Sequence, residues 1–351
     1  MRGQKTVLIL GAGASKGFGL PLGDGLKAII AKDLRISFDD FGRSLESGSY
    51  EIVDALRILV RDQQTGLQGD INPHRAVAVR ISNAMGPSGS IDEYVERHRN
   101  DSKYSDCAKL AIAKAILEAE RNSTIYFDYR LDDDDLVGDN SQSWLSMLLR
   151  DITKRLTRDE IPDAFSKLFI INFNYDRCIE HFSFLWLKQM YNFTEIEAAQ
   201  ICSRISIYHP YGKLGDLPYE NPNDQVAFGE KITGEKLVSV ASKIRTYSEI
   251  GLDDKKLALA QNALIEAKKL VFLGFGFHEQ NMEILTVPES NERATIVCYA
   301  TTKDVSNPRI ELDKERIARS FRVKDPGGLF FDHVPDTCEA FWRQYGDVVS
   351  R

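Results

Sequence analysis

The chain has 351 residues, enough for one large domain or two ordinary ones. Hydrophobic residues make up 43%, which allows a full core and excludes wholesale disorder. A net charge of −7 with no long basic run argues against a protein whose main task is gripping phosphate backbones, leaving room only for a local basic patch.

The N-terminal segment leads straight into a strand with no signal-peptide pattern before it. No apolar run approaches the length of a membrane span, so a cytoplasmic protein with no membrane partner is expected. Cys107, Cys178, Cys202, Cys298 and Cys338 are scattered and form no CxxC pair. That spacing excludes a four-cysteine zinc ribbon and argues against a disulfide framework; reduced, core-filling thiols are the expectation.

In chain order, the first element is an apolar, β-branched run, TVLILGAGAS over residues 6–15, that breaks into Gly11, Ala12, Gly13, Ala14 and Ser15. It reads as a buried parallel strand feeding a tight turn and a helix. Small residues let backbone approach a bound group, and turn N–H groups with a helix N-terminus suit a pyrophosphate. An ordinary strand-to-helix turn uses the same residues. The dinucleotide fingerprint is incomplete: its third Gly position holds Lys16, with Gly17 one step late, and the acidic residue expected about 20 residues further on is missing. The following KGFGLPLGDGL reads as a loop that covers a nucleotide.

A long segment with little strand signal comes next. It reads as helices over residues 51–63, 92–98, 107–121 and 141–156, with apolar residues at helical spacing in CAKLAIAKAILEAER. The acidic run 132–135 reads as a solvated loop in preference to a cation site. Short β-rich runs follow at 167–173 (KLFIINF), 204–208 (RISIY), 269–274 (KLVFLG) and 294–300 (ATIVCYA), with a helix over 253–268 before the third. A last strand over 328–331 and a helix near 336–345 close the chain. This alternation predicts an α/β fold: a Rossmann-like parallel sheet with helices on both faces and a large helical insertion after the first βα unit. Residues 1–36 and 161–351 form the expected nucleotide-binding domain, and 37–160 the helical module, which suits a cover or a subunit interface.

Ligands of open parallel sheets bind beyond the carboxyl ends of the strands. Asn174 and Asp176 emerge there after KLFIINF, where they would otherwise cap the next helix. His209, Tyr211 and Gly212 follow RISIY, and Gly274, Gly276 and Asn281 follow KLVFLG.

Taken in order, GAGAS with Gly19-Leu20-Pro21, then Asn174-Tyr175-Asp176, then the His209 to Gly212 turn, then the Gly-rich end of KLVFLG, resemble the sirtuin-like family, nearest to its bacterial branch of NAD+-consuming defence proteins. The resemblance covers residues 1–30 and about 165–300. It implies NAD+ as substrate with no metal, held by Gly11, Ala12, Gly13, Ser15, Pro21, Tyr211, Gly212, Gly274, Gly276 and Asn281. Asn174, His209 and Asp176 take the catalytic places. The family's deacylases carry a zinc ribbon that this chain lacks, which moves the expectation to an NAD+ glycohydrolase releasing nicotinamide and ADP-ribose. Phe173 stands where the family has Gln. Tyr211, not a His, directly precedes Gly212, so either His209 or Tyr211 takes the family's histidine place. The alternative is a regulatory subunit that binds NAD+ or ADP-ribose without turnover. By the same analogy we expect an anti-phage role, control through homo-oligomer assembly, and an ATPase, helicase or nucleic-acid-sensing partner.

The chemistry suits the residue types. Nicotinamide leaves NAD+ as a neutral base while the sugar becomes oxocarbenium-like, so an enzyme must hold the ribose and position water. The Asn174 amide can orient water and a ribose hydroxyl, and Asp176 can accept from the carboxamide. A neutral His209 can take a proton.

Overall fold

The computed structural model describes residues 6–62, 64–127, 135–250 and 255–349. Six parallel strands form one sheet: β1 (Thr6–Leu10), β4 (Phe169–Asn172), β5 (Ser206–Tyr208), β6 (Lys269–Leu273), β7 (Ile296–Thr301) and β8 (Leu329–Val334). A separate two-stranded hairpin, β2 (Ser37–Phe38) with β3 (Leu45–Ser47), accounts for the numbers between. Every strand read from the sequence is present. The spatial order β5-β4-β1-β6-β7-β8 is the doubly wound order in which the chain first steps one way from the centre and then returns to build the other half.

The central strands are apolar for a physical reason. β1 is buried at every position, and Leu8, Ile9 and Leu10 have no exposed surface. A parallel strand covered on both faces cannot alternate polar and apolar residues. The edge strand β8 alternates between half-buried and exposed positions over its first five residues. The C-terminal helix Cys338–Val349 packs on β6, β7 and β8 and against the helix Trp144–Thr153, where Trp342 Nε1 donates to Asp151 Oδ2 at 2.8 Å.

The chain divides into two compact units: residues 1–19, 124–210 and 251–351 in one, and 20–123 with 211–250 in the other. This corrects the expected module boundaries of 37 and 160. The segment 124–160 belongs with the sheet, because the indole of Trp144 is buried there and its Nε1 donates to Ala14 O at 2.8 Å. The helical unit gains an element that the Gly-rich sequence concealed, the helix Gly23–Asp33. It also gains the helix Gly234–Ala241, which packs on Tyr50–Leu59 and on Ser102–Arg121. The last of these is the core of the unit, with Leu110, Ala111, Ala113 and Leu117 buried.

The expected helix end at Gln63 and the acidic residues Asp132 to Asp134 lie outside the described residues, as do Asp253 and Asp254 at the start of the helix found at Lys255–Glu266. Among the described residues no helix is long and apolar enough to cross a membrane. All five cysteines are buried thiols. Burial pushes Cys107 and Cys298 well above the ordinary thiol range and Cys338 up to about 12, so none of these three is primed as a nucleophile.

Candidate functional site

The site lies at the carboxyl ends of β1, β4, β5 and β6, within the sheet-bearing unit. β1 ends at Leu10, and the turn into the short helix Ala12–Lys16 is clamped onto the end of β6. Gly11 N–H donates to Leu273 O at 3.0 Å, and Gly13 N–H to Gly274 O at 3.1 Å. A Cβ on Gly11 would stand 2.5 Å from Gly274 O, and one on Gly13 2.6 Å from Gly274 Cα. These glycines are therefore required by backbone-to-backbone packing. The expectation that the turn amides face a pyrophosphate is corrected for Gly11 and Gly13, whose N–H groups are engaged by β6. Ala12, half-buried, and Ser15, buried, complete the turn.

Asn174 is held against this turn. Its Nδ2 donates to Gly11 O at 3.0 Å and to Ser15 Oγ at 3.1 Å, and its own N–H donates to Asn172 Oδ1 at 3.1 Å. Gly11 O can only accept, so the orientation of the amide is determined by chemistry. Both donor hydrogens point at the turn, which leaves Oδ1 as the acceptor. Residue 174 is 9% exposed.

His209 meets Asn174 from the neighbouring strand end. Its Nδ1 lies 3.0 Å from Asn174 O and must be the donor, since a carbonyl only accepts. Its Nε2 lies 2.9 Å from Glu180 Oε1, and both side chains are 6% exposed. His209 thus joins the end of β5 to that of β4. The arrangement also corrects its expected role. A general base needs a ring nitrogen facing the substrate, and here both nitrogens are held by protein groups. His209 can take a proton only once Nε2 has left Glu180.

Asp176 is 3% exposed, and its Oδ1 accepts from Cys178 N–H at 3.1 Å, where the helix Cys178–Tyr191 begins. One carboxylate oxygen of Asp176 is thus engaged at the start of this helix. Arg177 is fully buried beside it. One turn on, burial and then the Arg177 charge hold His181 down to about 3, and its Nε2–H donates to Ile125 O at 3.1 Å.

At the end of β6, Gly274 takes φ +57 and donates its N–H to Thr301 Oγ1 at 2.7 Å. Phe275 meets Phe173 edge-on at 5.1 Å. The position where the resembled family has Gln is therefore an aromatic anchor for the β6 turn. Gly276 is exposed, and Asn281 lies half-buried in the helix Glu279–Ile284. Arg316 Nη1 donates to Phe277 O at 3.0 Å, fixing this turn from the helix Asn307–Ser320.

Pro21, Tyr211 and Gly212 belong to the helical unit. There Tyr211 O accepts from Arg245 N–H at 2.8 Å. Gly212 takes φ +75, and a Cβ on it would stand 2.1 Å from Lys243 O, so its identity is explained by that close approach.

Sequence reasoning missed Glu180, Arg177 and Trp144. A signal for the first existed: a Glu-His pair set in the apolar run CIEHFSFLWL leaves no solvated face for its charge. Among the described residues no group of three or more His, Cys, Asp or Glu could hold a metal ion. No protein-family model matches the chain, and no curated protein is similar to it.

Proposed function

We propose that the chain binds NAD+ at this rim and hydrolyses its nicotinamide–ribose bond. The observation that carries the reading is the Asn174 amide, fixed by Gly11 O and Ser15 Oγ with Oδ1 left to accept. It stands at the carboxyl ends of β1 and β4, beside the strand-order reversal where doubly wound sheets take dinucleotides. An acceptor held in this way suits a ribose hydroxyl or an attacking water. In the reaction the bond from the pyridinium nitrogen to C1′ breaks and its electron pair leaves with neutral nicotinamide. Water adds to C1′ and loses a proton, giving ADP-ribose. The contribution of Asn174 is orientation, and it needs no titrating group.

Purified protein incubated with NAD+ should release nicotinamide and ADP-ribose in equal amounts. Asn174→Ala should lower that rate on the order of 100-fold with NAD+ binding retained. Wild-type protein that binds NAD+ without releasing nicotinamide would support the second reading, a regulatory subunit sensing NAD+ or ADP-ribose. That reading is favoured by one observation, the engagement of both His209 nitrogens. The resembled family adds a cellular setting for the enzyme: loss of the NAD+ pool in a phage-infected cell, under control by assembly or a partner.

A further inference from the structure

Three segments distant in sequence, around residues 11–15, 174–180 and 209, are joined by one hydrogen-bonded chain. It runs from Glu180 Oε1 to His209 Nε2, from His209 Nδ1 to Asn174 O, and from Asn174 Nδ2 to Gly11 O and Ser15 Oγ. Each link is 2.9 to 3.1 Å long, and each side chain in it is largely buried. The ends of the chain differ in kind. At the turn, Asn174 leaves an acceptor available. At the other end, a carboxylate on the helix Cys178–Tyr191 grips the outer nitrogen of an imidazole whose inner nitrogen holds the Asn174 main chain.

From this we infer that Glu180 is the positioning residue of the site: through His209 it fixes the Asn174 main chain and so aims Asn174 Oδ1. The inference rests on the NAD+ hydrolase reading for its kinetic consequence, but its structural content does not. One proton lies in the Nε2–Oε1 bond. With that proton in place the imidazole cannot rotate, and Nδ1–H stays on Asn174 O. Removing the carboxylate frees the ring about χ2 and loosens the carbonyl it holds. A glutamine at 180 restores the bond by donating its amide N–H to Nε2, with the Nδ1–H tautomer unchanged. His209 in turn has the role of a strut between β4 and β5, which explains why no ring nitrogen faces outward.

The test compares the full-length wild type with Glu180→Ala, Glu180→Gln, His209→Ala and the double variant Glu180→Ala/His209→Ala. Two readouts are used: the imidazole 15N–1H spectrum and the kinetics of nicotinamide release. In Glu180→Ala the Nε2 resonance of His209 should move while the far-ultraviolet circular dichroism is unchanged. In Glu180→Gln the Nδ1–H resonance should persist. In the kinetics, Glu180→Ala should lose on the order of 100-fold in kcat rather than in KM. Glu180→Gln should recover to within about fivefold of wild type, since a neutral bond replaces a charge-assisted one. The double variant should be no slower than His209→Ala, because the hydrogen-bonded route from Glu180 to Asn174 runs through that ring. An unmoved His209 resonance in Glu180→Ala, a kcat equal to wild type, or additive losses in the double variant would overturn the inference. If wild type releases no nicotinamide, the hydrolase reading fails, and the His209 resonances still decide the role of Glu180.

Discussion

Gly274→Ala should be among the most destabilising single-methyl additions available in this chain, by roughly 4 kcal/mol. Two independent costs combine. The residue takes φ +57, a left-handed conformation that costs an L side chain about 1–2 kcal/mol. A Cβ there would also stand 2.2 Å from Ala14 N and 2.3 Å from Gly13 C, both main-chain atoms that cannot rotate away. Overpacking of this kind adds about 1–3 kcal/mol. The sum is a large share of the roughly 5–15 kcal/mol that stabilises a typical domain. Gly276→Ala, two residues on, is the control. Its φ is not in the left-handed range, and the nearest atoms to its Cβ would be those of the exposed His278 ring, a side chain, at 2.9 Å. Denaturant unfolding should show a large fall in midpoint for the first variant and a change within about 0.5 kcal/mol for the second. Equal midpoints would mean that the β1 turn does not sit on β6 as described.

The second large effect is a dependence of stability on pH carried by His181. Burial, reinforced by the Arg177 charge, holds this imidazole down to about 3 in the folded protein, against 6.5 for an ordinary histidine. Above pH 6.5 both folded and unfolded chains carry it neutral, and it imposes no cost. Between 6.5 and about 3 the unfolded chain binds a proton that the folded one refuses, so stability falls as pH falls; below about 3 the loss levels off. From pH 7 to pH 4 this amounts to roughly 3 kcal/mol. Carboxylates titrate over part of the same range, so the variant His181→Gln isolates the term. Glutamine keeps a donor for Ile125 O and removes the titration. The stability difference between wild type and His181→Gln should shift by about that amount between the two pH values. Parallel curves would show that the ring is solvated or already charged.

Much of the architecture was legible because its physics is local. The run TVLIL reads as a strand covered on both faces, and KLFIINF, KLVFLG and ATIVCYA repeat the pattern. The meeting of Asn174 with the Gly11 turn followed from a topological rule about strand ends. What could not be read were facts of contact. Gly11 and Gly13 look the same in sequence whether a phosphate or a neighbouring strand needs the space, and here β6 takes it. Gly212, singled out for a ligand, answers to Lys243 O. His209 reads as a base until its second nitrogen is seen on Glu180, a residue hidden inside an apolar helix. The helix Gly23–Asp33 was concealed because the three glycines and the one proline of residues 17–23 signal loop more strongly than its apolar face signals helix.

The position of β1 has a consequence for biosynthesis. The strand is made first, yet its two neighbours begin at Phe169 and Lys269. At common translation speeds it waits roughly 13–50 s for the second of them. Throughout that interval an unsatisfied ladder edge, lined by Val7, Leu8, Ile9 and Leu10, projects from the nascent polypeptide. The glycine turn cannot close before its partners Leu273 and Gly274 have been made, so the rim is completed long after β1 emerges.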